Sequence, residues 1–506
     1  MKKLLLIFLI PLFVFAANAQ DVNIPDANFK KALIAAGVDK NEDQIIQTSE
    51  ALAVTELYIA WKIIFDITGI EAFTNLTSLK CGSNIFVELD LSNLTKLRIL
   101  DCSSLALNTI DVSKNTQLTE LYVDNNLLQT LDLTRNTQLT RLNVGGNNLQ
   151  TLDLSKNTNL ISLNCSDNEL SAINLNANTA LTSVNCRSNK ITQLDLSSNL
   201  ALKDLDCRKN ELSTLDISKN VLLTNVNCNE NKLTTLDISS NKALSNLNCS
   251  SNLITEMSFN GNKQLQYVYL SMNKFTSLNF TSVDSLQHLV CNSNQLASLE
   301  LKNNMALSRL NCGSNQLTSL ILPPTSTLED VRCENNQITA LDFSKNTGLL
   351  HVYSKDNKLS SVDISNSPLL TYLDFENNQL AAIDVTHQPV LEILHCSSNK
   401  LSSLDITKNP GLGIVTFLEN PGITEMCYTK AQENAQPIWK SYHEENNIKW
   451  SLCEGATGFQ DENSNHTDKK LLRIVTFLGQ EVHPDYASEG LFIIQYTDGT
   501  TQKVLK

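Results

Sequence analysis

From Leu76 to Asn420 the apolar and polar positions of the chain recur with a period of 21 residues. Leu76, Leu97 and Leu118 begin the series and Leu412 ends it, seventeen copies without an insertion or deletion. The phrase reads LxxLxCxxNxLxxLDLSxNxx, and Leu223 to Ala243 is a typical copy. A fixed period of this length predicts a solenoid, in which each copy is one turn that buries its apolar side only against its neighbours. Within a turn the fourth and sixth positions, such as Leu163 and Cys165, lie two apart and share one side of a strand, while Asn164 points the other way. Stacked turns then predict a parallel sheet. The ninth position is Asn in all copies but one, where a residue that can hydrogen-bond backbone suits the bend after the strand. Leu105 is the exception, and a local irregularity is expected there. The second half of the phrase nearly repeats the first, which predicts an extended segment rather than a long helix on the opposite face.

The phrase core, LxxLxCxxNxL, resembles the leucine-rich repeat. Its sixth position is Cys at Cys81, Cys102, Cys165, Cys186, Cys207, Cys228, Cys249, Cys291, Cys312, Cys333 and Cys396, and Val, Leu, Ser or Phe elsewhere. A slot that accepts Val or Phe is expected to hold a small buried thiol. Parallel side chains aimed the same way make poor disulfide partners. Cys427 and Cys453 stand outside this ladder, bracketing a non-repeating segment with Trp439 and Trp450. A disulfide between them would staple a cap over the last turn; two unpaired thiols are the alternative.

The flanks differ from the repeat. Residues 1–19 read as a secretory signal: Lys2 and Lys3, an apolar run from Leu4 to Phe15, and Ala17-Asn18-Ala19 as a cleavage site. Residues 20–53 read as an N-terminal cap with a short amphipathic helix opened by Pro25 or Asp26. In it Asp39, Asn41, Asp43 and Glu50 fall at positions 1, 3, 5 and 12 of a calcium-loop pattern. Gln44 stands where that pattern has Gly, so a polar turn is the competing reading. Val54, Leu57, Ile59, Ile67 and Ile70 look like an imperfect repeat, so the solenoid is read as 54–426 and its C-terminal cap as 427–455. Residues 456–469 are polar, a linker.

Residues 470–506 predict a small all-β tail, with Leu472 to Phe477, Gly490 to Tyr496 and Thr501 to Leu505 as strands. Leu478 to Val482, Gly490 to Ile494, Asp498-Gly499 and Lys503 to Lys506 resemble, in order, the type A sorting domain of bacterial type IX secretion. The N-terminal cap, solenoid and Cys427/Cys453 segment resemble internalin-like bacterial surface proteins. Together the resemblances imply export by a Gram-negative bacterium, the type IX machinery as a partner, and a place outside the cell or on its surface. They imply a leucine-rich repeat solenoid with a helical N-cap, a disulfide-closed C-cap and a β-tail.

Charge narrows the partners. The net charge is −14, which argues against nucleic acid or anionic lipid. No apolar run after the signal is long enough for a membrane-spanning helix. Phrase position 15 carries a row of Asp, from Asp90 through Asp216 to Asp405, with Lys or Arg often three residues on, and is expected to be a solvated hydrogen-bonded ladder. Positions 3 and 5 face outward from the sheet. They are small and polar in the middle turns but change from Leu265 onward to Tyr267, Tyr269, His288, Arg309, Asp330, Arg332, His351, Tyr353, Tyr372, Asp374 and His395. Aromatic and Arg side chains on a rigid sheet suit recognition of a protein or glycan. Ordinary surface variation is the bland alternative. No Ser or Cys is placed beside a base, and neither a glycine-rich phosphate loop nor an HExxH motif occurs, so no enzyme is expected. A recognition or adhesion protein that needs no cofactor beyond possible calcium in the cap is the leading expectation. A surface spacer without a ligand is the other.

Overall fold

The computed structural model describes residues 20–433, 439 and 448–453, and the backbone of 471–476, 491–496 and 501–505. The expected signal at 1–19, the linker at 456–469 and most of the tail motifs, from Leu478 to Val482 and at Asp498-Gly499, lie outside the described residues. The chain divides into two compact units, Met1–Gln337 and Ile338–Lys506.

In the first unit the helix Ala27–Ala35 begins where Asp26 accepts the Phe29 N–H at 2.8 Å. The other Asp26 oxygen accepts the Phe65 N–H at 2.9 Å, so one carboxylate fixes both the helix start and the loop beside it. A second helix, Thr48–Ala53, follows the acidic turn. Glu56–Tyr58 then pairs in parallel with Ser78–Lys80, so the imperfect repeat is the first rung. Each later phrase supplies one three-residue strand in the same register, Asn225–Asn227 on Asn246–Asn248 for example, as far as Asp330–Arg332. In the second unit His351–Tyr353, Tyr372–Asp374, Ile393–His395 and Ile414–Thr416 continue the pattern.

The interior follows the period. Leu223, Cys228, Leu233 and Ile238 are all fully buried, and their counterparts in the other turns are buried with few exceptions, such as half-buried Leu322. The eleven ladder cysteines are free and buried. Burial pushes the Cys165 and Cys228 thiols up to about 12, so they pack as small apolar groups and not as nucleophiles or metal ligands.

The ninth-position Asn closes each bend. Asn231 Nδ2 donates to Cys207 O at 3.0 Å and Cys228 O at 3.1 Å, while its Oδ1 accepts the Leu212 N–H at 3.0 Å. The residue just before it adopts a left-handed φ in every turn, as at Glu230. At Leu105 the bend is irregular as expected: besides Ser104 at φ 55°, exposed Ala106 takes φ 60°, a feature shared at that place by Ile63 (φ 57°) of the first rung, whose bend also lacks the Asn. Ala106→Gly removes a Cβ from an exposed left-handed residue. It is expected to raise stability by about 0.5–1 kcal/mol in urea titration.

A second ladder was not anticipated. The Asn at position 19, as in Asn220 and Asn241, is fully buried. Asn241 Nδ2 donates to Ile217 O at 3.0 Å and Asn220 O at 2.9 Å, tying each turn to the one before. The opposite face is less regular than expected. Just past the bend successive turns share single backbone bonds, such as Lys232 N to Leu212 O at 2.8 Å, and on the opposite face short strands pair only at 298–300 with 319–321 and at 340–342 with 361–363 among the described residues. The Asp row spends its hydrogen bonds locally instead: Asp216 Oδ1 accepts the Ser218 N–H at 2.9 Å. Bonds from Ser218, together with nearby Lys219, hold the Asp216 carboxyl below its ordinary value.

The end of the solenoid is closed by side chains outside the phrase. Gln432 Nε2 donates to Ile406 O at 2.7 Å and Asn409 O at 2.9 Å, the bonds that a further ladder Asn would make. Buried Trp439 donates to Gly413 O at 3.0 Å and packs near Trp450. Glu425–Tyr428 pairs in parallel with Lys449–Leu452, and the Cys427–Cys453 disulfide joins these strands. In the tail, Leu471–Thr476, Leu491–Tyr496 and Thr501–Leu505 form an antiparallel three-stranded sheet.

Candidate functional site

The outward positions of the strands form two columns on the sheet, because the parallel register places position 3 beside position 3 and position 5 beside position 5. In the first unit Tyr267, His288, Arg309 and Asp330 are successive neighbours in one column. Tyr269 and Arg332 belong to the other, separated by Val290 and Asn311. The Tyr267 and His288 rings meet edge to face at 4.8 Å. Burial, and then the Arg309 charge, lower the His288 pKa, so its imidazole is neutral near pH 7. Arg309 is exposed, and Arg332 Nε pairs with Asp330 at 3.2 Å.

In the second unit the residues join more closely. Tyr353 stacks on Tyr372 with centroids 4.5 Å apart and planes 29° apart. His351 lies 6.5 Å from Tyr353, and His395 lies 5.8 Å from Tyr372. His395 Nδ1 is 2.9 Å from the Thr416 hydroxyl, which fixes that ring. Four rings therefore form a connected strip across three rungs, diagonal to the columns. Sequence spacing placed these residues on one face. It did not show that Tyr353 would meet Tyr372, one column over, rather than its register partner Asp374.

Asp374 is half-buried beside this strip. Its Oδ1 accepts the Glu376 N–H at 3.0 Å, but burial outweighs that bond and lifts the carboxyl to about 6. Glu376 and Asp356 reinforce the rise, and Lys355, paired to Glu376 at 3.3 Å, opposes it. The folded chain thus holds this proton more tightly than the unfolded chain. The associated stability is complete below the ordinary value of 3.8 and is lost as pH rises through about 6. Asp374→Asn is expected to be more stable than the parent at pH 7, by on the order of 1–2 kcal/mol. The difference should vanish near pH 4, as read from urea midpoints at the two pH values.

The acidic turn of the cap has a different character. Asn41 Oδ1 accepts the Asp43 N–H, Asp43 Oδ1 accepts the Ile45 N–H, and Asp39 Oδ2 accepts the Gln44 N–H. Glu50 uses both oxygens on backbone, taking the Lys40 N–H at 2.6 Å and the Gln47 N–H at 3.0 Å. Gln44 adopts φ 64°, supplying without Gly the bend that the loop pattern asks for. Among the described residues no group of three or more His, Cys, Asp or Glu is arranged to hold a metal ion. No helix among them is long and apolar enough to cross a membrane.

No protein-family model matches the chain, and no curated protein matches it. Solved structures do. The functional domain of InlJ from Listeria monocytogenes, which includes a cysteine ladder, is 25% identical with a TM-score of 0.57, over 96% of this chain and 98% of that one. YopM from Yersinia enterocolitica WA-314 is 25% identical with a TM-score of 0.59, over 72% of this chain and 83% of that one. The plant peptide hormone receptor RGFR1 in complex with RGF2, 18% identical with a TM-score of 0.59 over 76% of this chain and 81% of that one, shares the fold alone. The stacked Cys column, the Asn-closed bends and the capped ends thus make this chain a leucine-rich repeat solenoid similar to the internalin-like proteins of bacteria.

Proposed function

We propose that this is an exported, non-catalytic recognition or adhesion protein that holds an extracellular protein or glycan on its strand face. The carrying observation is the ring strip of His351, Tyr353, Tyr372 and His395. Such rings offer a large apolar area whose rotamers are already fixed by packing, so little entropy is lost on binding. The opposite face offers a row of carboxylates bonded to their own turns, which suits solubility better than binding. The likeness to the functional domain of InlJ and to YopM agrees with a bacterial protein built on this repeat. The three tail strands pair antiparallel, as the tail sequence predicts; on the motif resemblance alone we take passage through type IX secretion as the route of export. The reading needs no cofactor. Calcium at Asp39, Asn41, Asp43 and Glu50 would have to draw the Glu50 carboxylate away from the Lys40 and Gln47 amides.

The test is an array of extracellular proteins and glycans probed with the full chain and with a Tyr353→Ala/Tyr372→Ala variant. A specific hit weakened roughly 30-fold or more in the variant, as for truncated aromatic hot spots, is expected. A hit that the folded variant retains in full would overturn the placement of the site on this strip.

A further inference from the structure

The middle turns, bland in sequence, form a trough on the strand face of the first unit, lined largely by Asn and Asp side chains. It has a volume of about 410 Å³ and runs from Ser183 to Tyr269. Its floor carries one position-5 side chain per rung: Asn185, Asp206, Asn227, Asn248 and then Tyr269. The backbone sets the orientation of each amide. Asn185 Oδ1 accepts the Arg187 N–H at 3.2 Å, Asn227 Oδ1 the Asn229 N–H at 3.4 Å, and Asn248 Oδ1 the Ser250 N–H at 3.1 Å. Because an N–H must face an oxygen, the NH₂ group of each points away from the turn. None of these three NH₂ groups has a partner among the described residues. In the same slot Asp206 accepts the Arg208 N–H at 3.2 Å and presents its other oxygen, paired with Arg208 at 3.3 Å. Along the edge, Asn246 donates to Asn225 and Asn225 to Asp204, so the position-3 column is locked by its own hydrogen bonds.

We infer that this trough binds an extended, neutral, β-linked polysaccharide lying along the stack of turns, one sugar to a rung. The inference rests on the strand face being the binding face, but not on the aromatic strip. Three arguments converge on this class of ligand. Parallel strands are about 4.8 Å apart, and an extended β-linked glycan advances by a similar length per sugar, with hydroxyls on both edges of each ring, so that a rung meets one even where alternate sugars turn over. An extended peptide matches the rungs less closely, because it advances about 3.4 Å per residue and its same-face groups recur at about 6.8 Å. Hydroxyl groups both donate and accept, which answers outward amide donors at Asn185, Asn227 and Asn248 and an acceptor at Asp206 with one chemistry. Finally, the charged groups that line the trough, Asp204 and Asp206, are both anionic. Arg208 is engaged by Asp206, and Arg187 pairs outside the trough with Asp167 at 3.0 Å. Uronates and sulfated chains are therefore disfavoured. Tyr269 closes one end with a ring on which a terminal sugar can stack.

Calorimetric titration of the full chain with cello- and xylo-oligosaccharides of increasing length tests this. Affinity should rise from the disaccharide to the pentasaccharide and then level off. Asn227→Asp and Asn248→Asp should each weaken it about ten-fold, one donor being replaced by an acceptor. Asp206 already occupies this slot, so the Asp variants keep a side chain the fold accepts. Absence of binding for both series, or binding indifferent to both substitutions, overturns the inference. Extended peptides that compete at these residues would overturn the glycan assignment while leaving the strand-face reading in place. The Tyr353/Tyr372 variant, altered in another unit, reports on that reading separately.

Discussion

Replacing Asn231 by Leu lowers the stability of the solenoid by on the order of 3 kcal/mol, although the two side chains are similar in size. Asn231 is nine-tenths buried, and its Oδ1 is the acceptor for the Leu212 N–H. Leucine leaves that buried donor without a partner, which costs about 1–3 kcal/mol by itself. The lost Nδ2 bonds add less. Cys207 O keeps the bond from Asn210 at 3.1 Å, and Cys228 O keeps the bond from Asn252 at 3.0 Å, because each carbonyl is served by its own turn and by the next. Asn231→Asp should be as damaging, since a carboxylate keeps the acceptor but brings an unpaired charge into the core. Equilibrium unfolding in urea checks this. A midpoint unchanged by either substitution would show that the Asn ladder is incidental to the fold.

Reducing or removing the Cys427–Cys453 disulfide costs about 3 kcal/mol, as expected for a closed loop of this size. The bridge spans 26 residues and ties Glu425–Tyr428 to Lys449–Leu452. Beneath it Gln432 and Trp439 cover the last described turn. Without the bridge that cover is held only by a short strand pair and a few side-chain bonds, and the end of the stack frays first. Cys453→Ser should therefore lower protection from hydrogen exchange in Ile414–Thr416 while leaving the turns near Leu223 unchanged. The ladder thiols should give the opposite control. They are fully buried and protonated, so iodoacetamide should leave them unlabelled in the native chain.

Most of the architecture was legible because the period is long and unbroken. Leucine at the first position and apolar residues two apart in the strand could satisfy a stack of turns and little else. Even the irregular bend at Leu105 could be foreseen, since a missing Asn removes a known set of bonds. The second Asn ladder was missed because a polar residue among polar neighbours reads as surface. Only its unbroken recurrence from Asn115 to Asn262 carried the signal of burial. Gln432 and Trp439 close the end from outside the phrase, so no period could point to them.

The candidate face was legible to the level of direction. Positions 3 and 5 point out of the sheet wherever the phrase holds, which placed Tyr353 and Tyr372 correctly. Their stacking depends on rotamers and on contacts across columns that spacing does not encode. The trough at Asn227 and Asn248 carries no signal in the identity of its small polar side chains. Its interest lies in the orientation of the amides, which follows from bonds to the backbone two residues on.

The central claim is that binding takes place on the strand face. Hydrogen exchange of the full chain, with and without the strongest array hit, tests it most directly. The account predicts slowed exchange in strand segments such as His351–Tyr353 and Tyr372–Asp374, with the turns around Asp363 and Asp384 unaffected. Protection confined to the Asp row or to the N-terminal cap would contradict it.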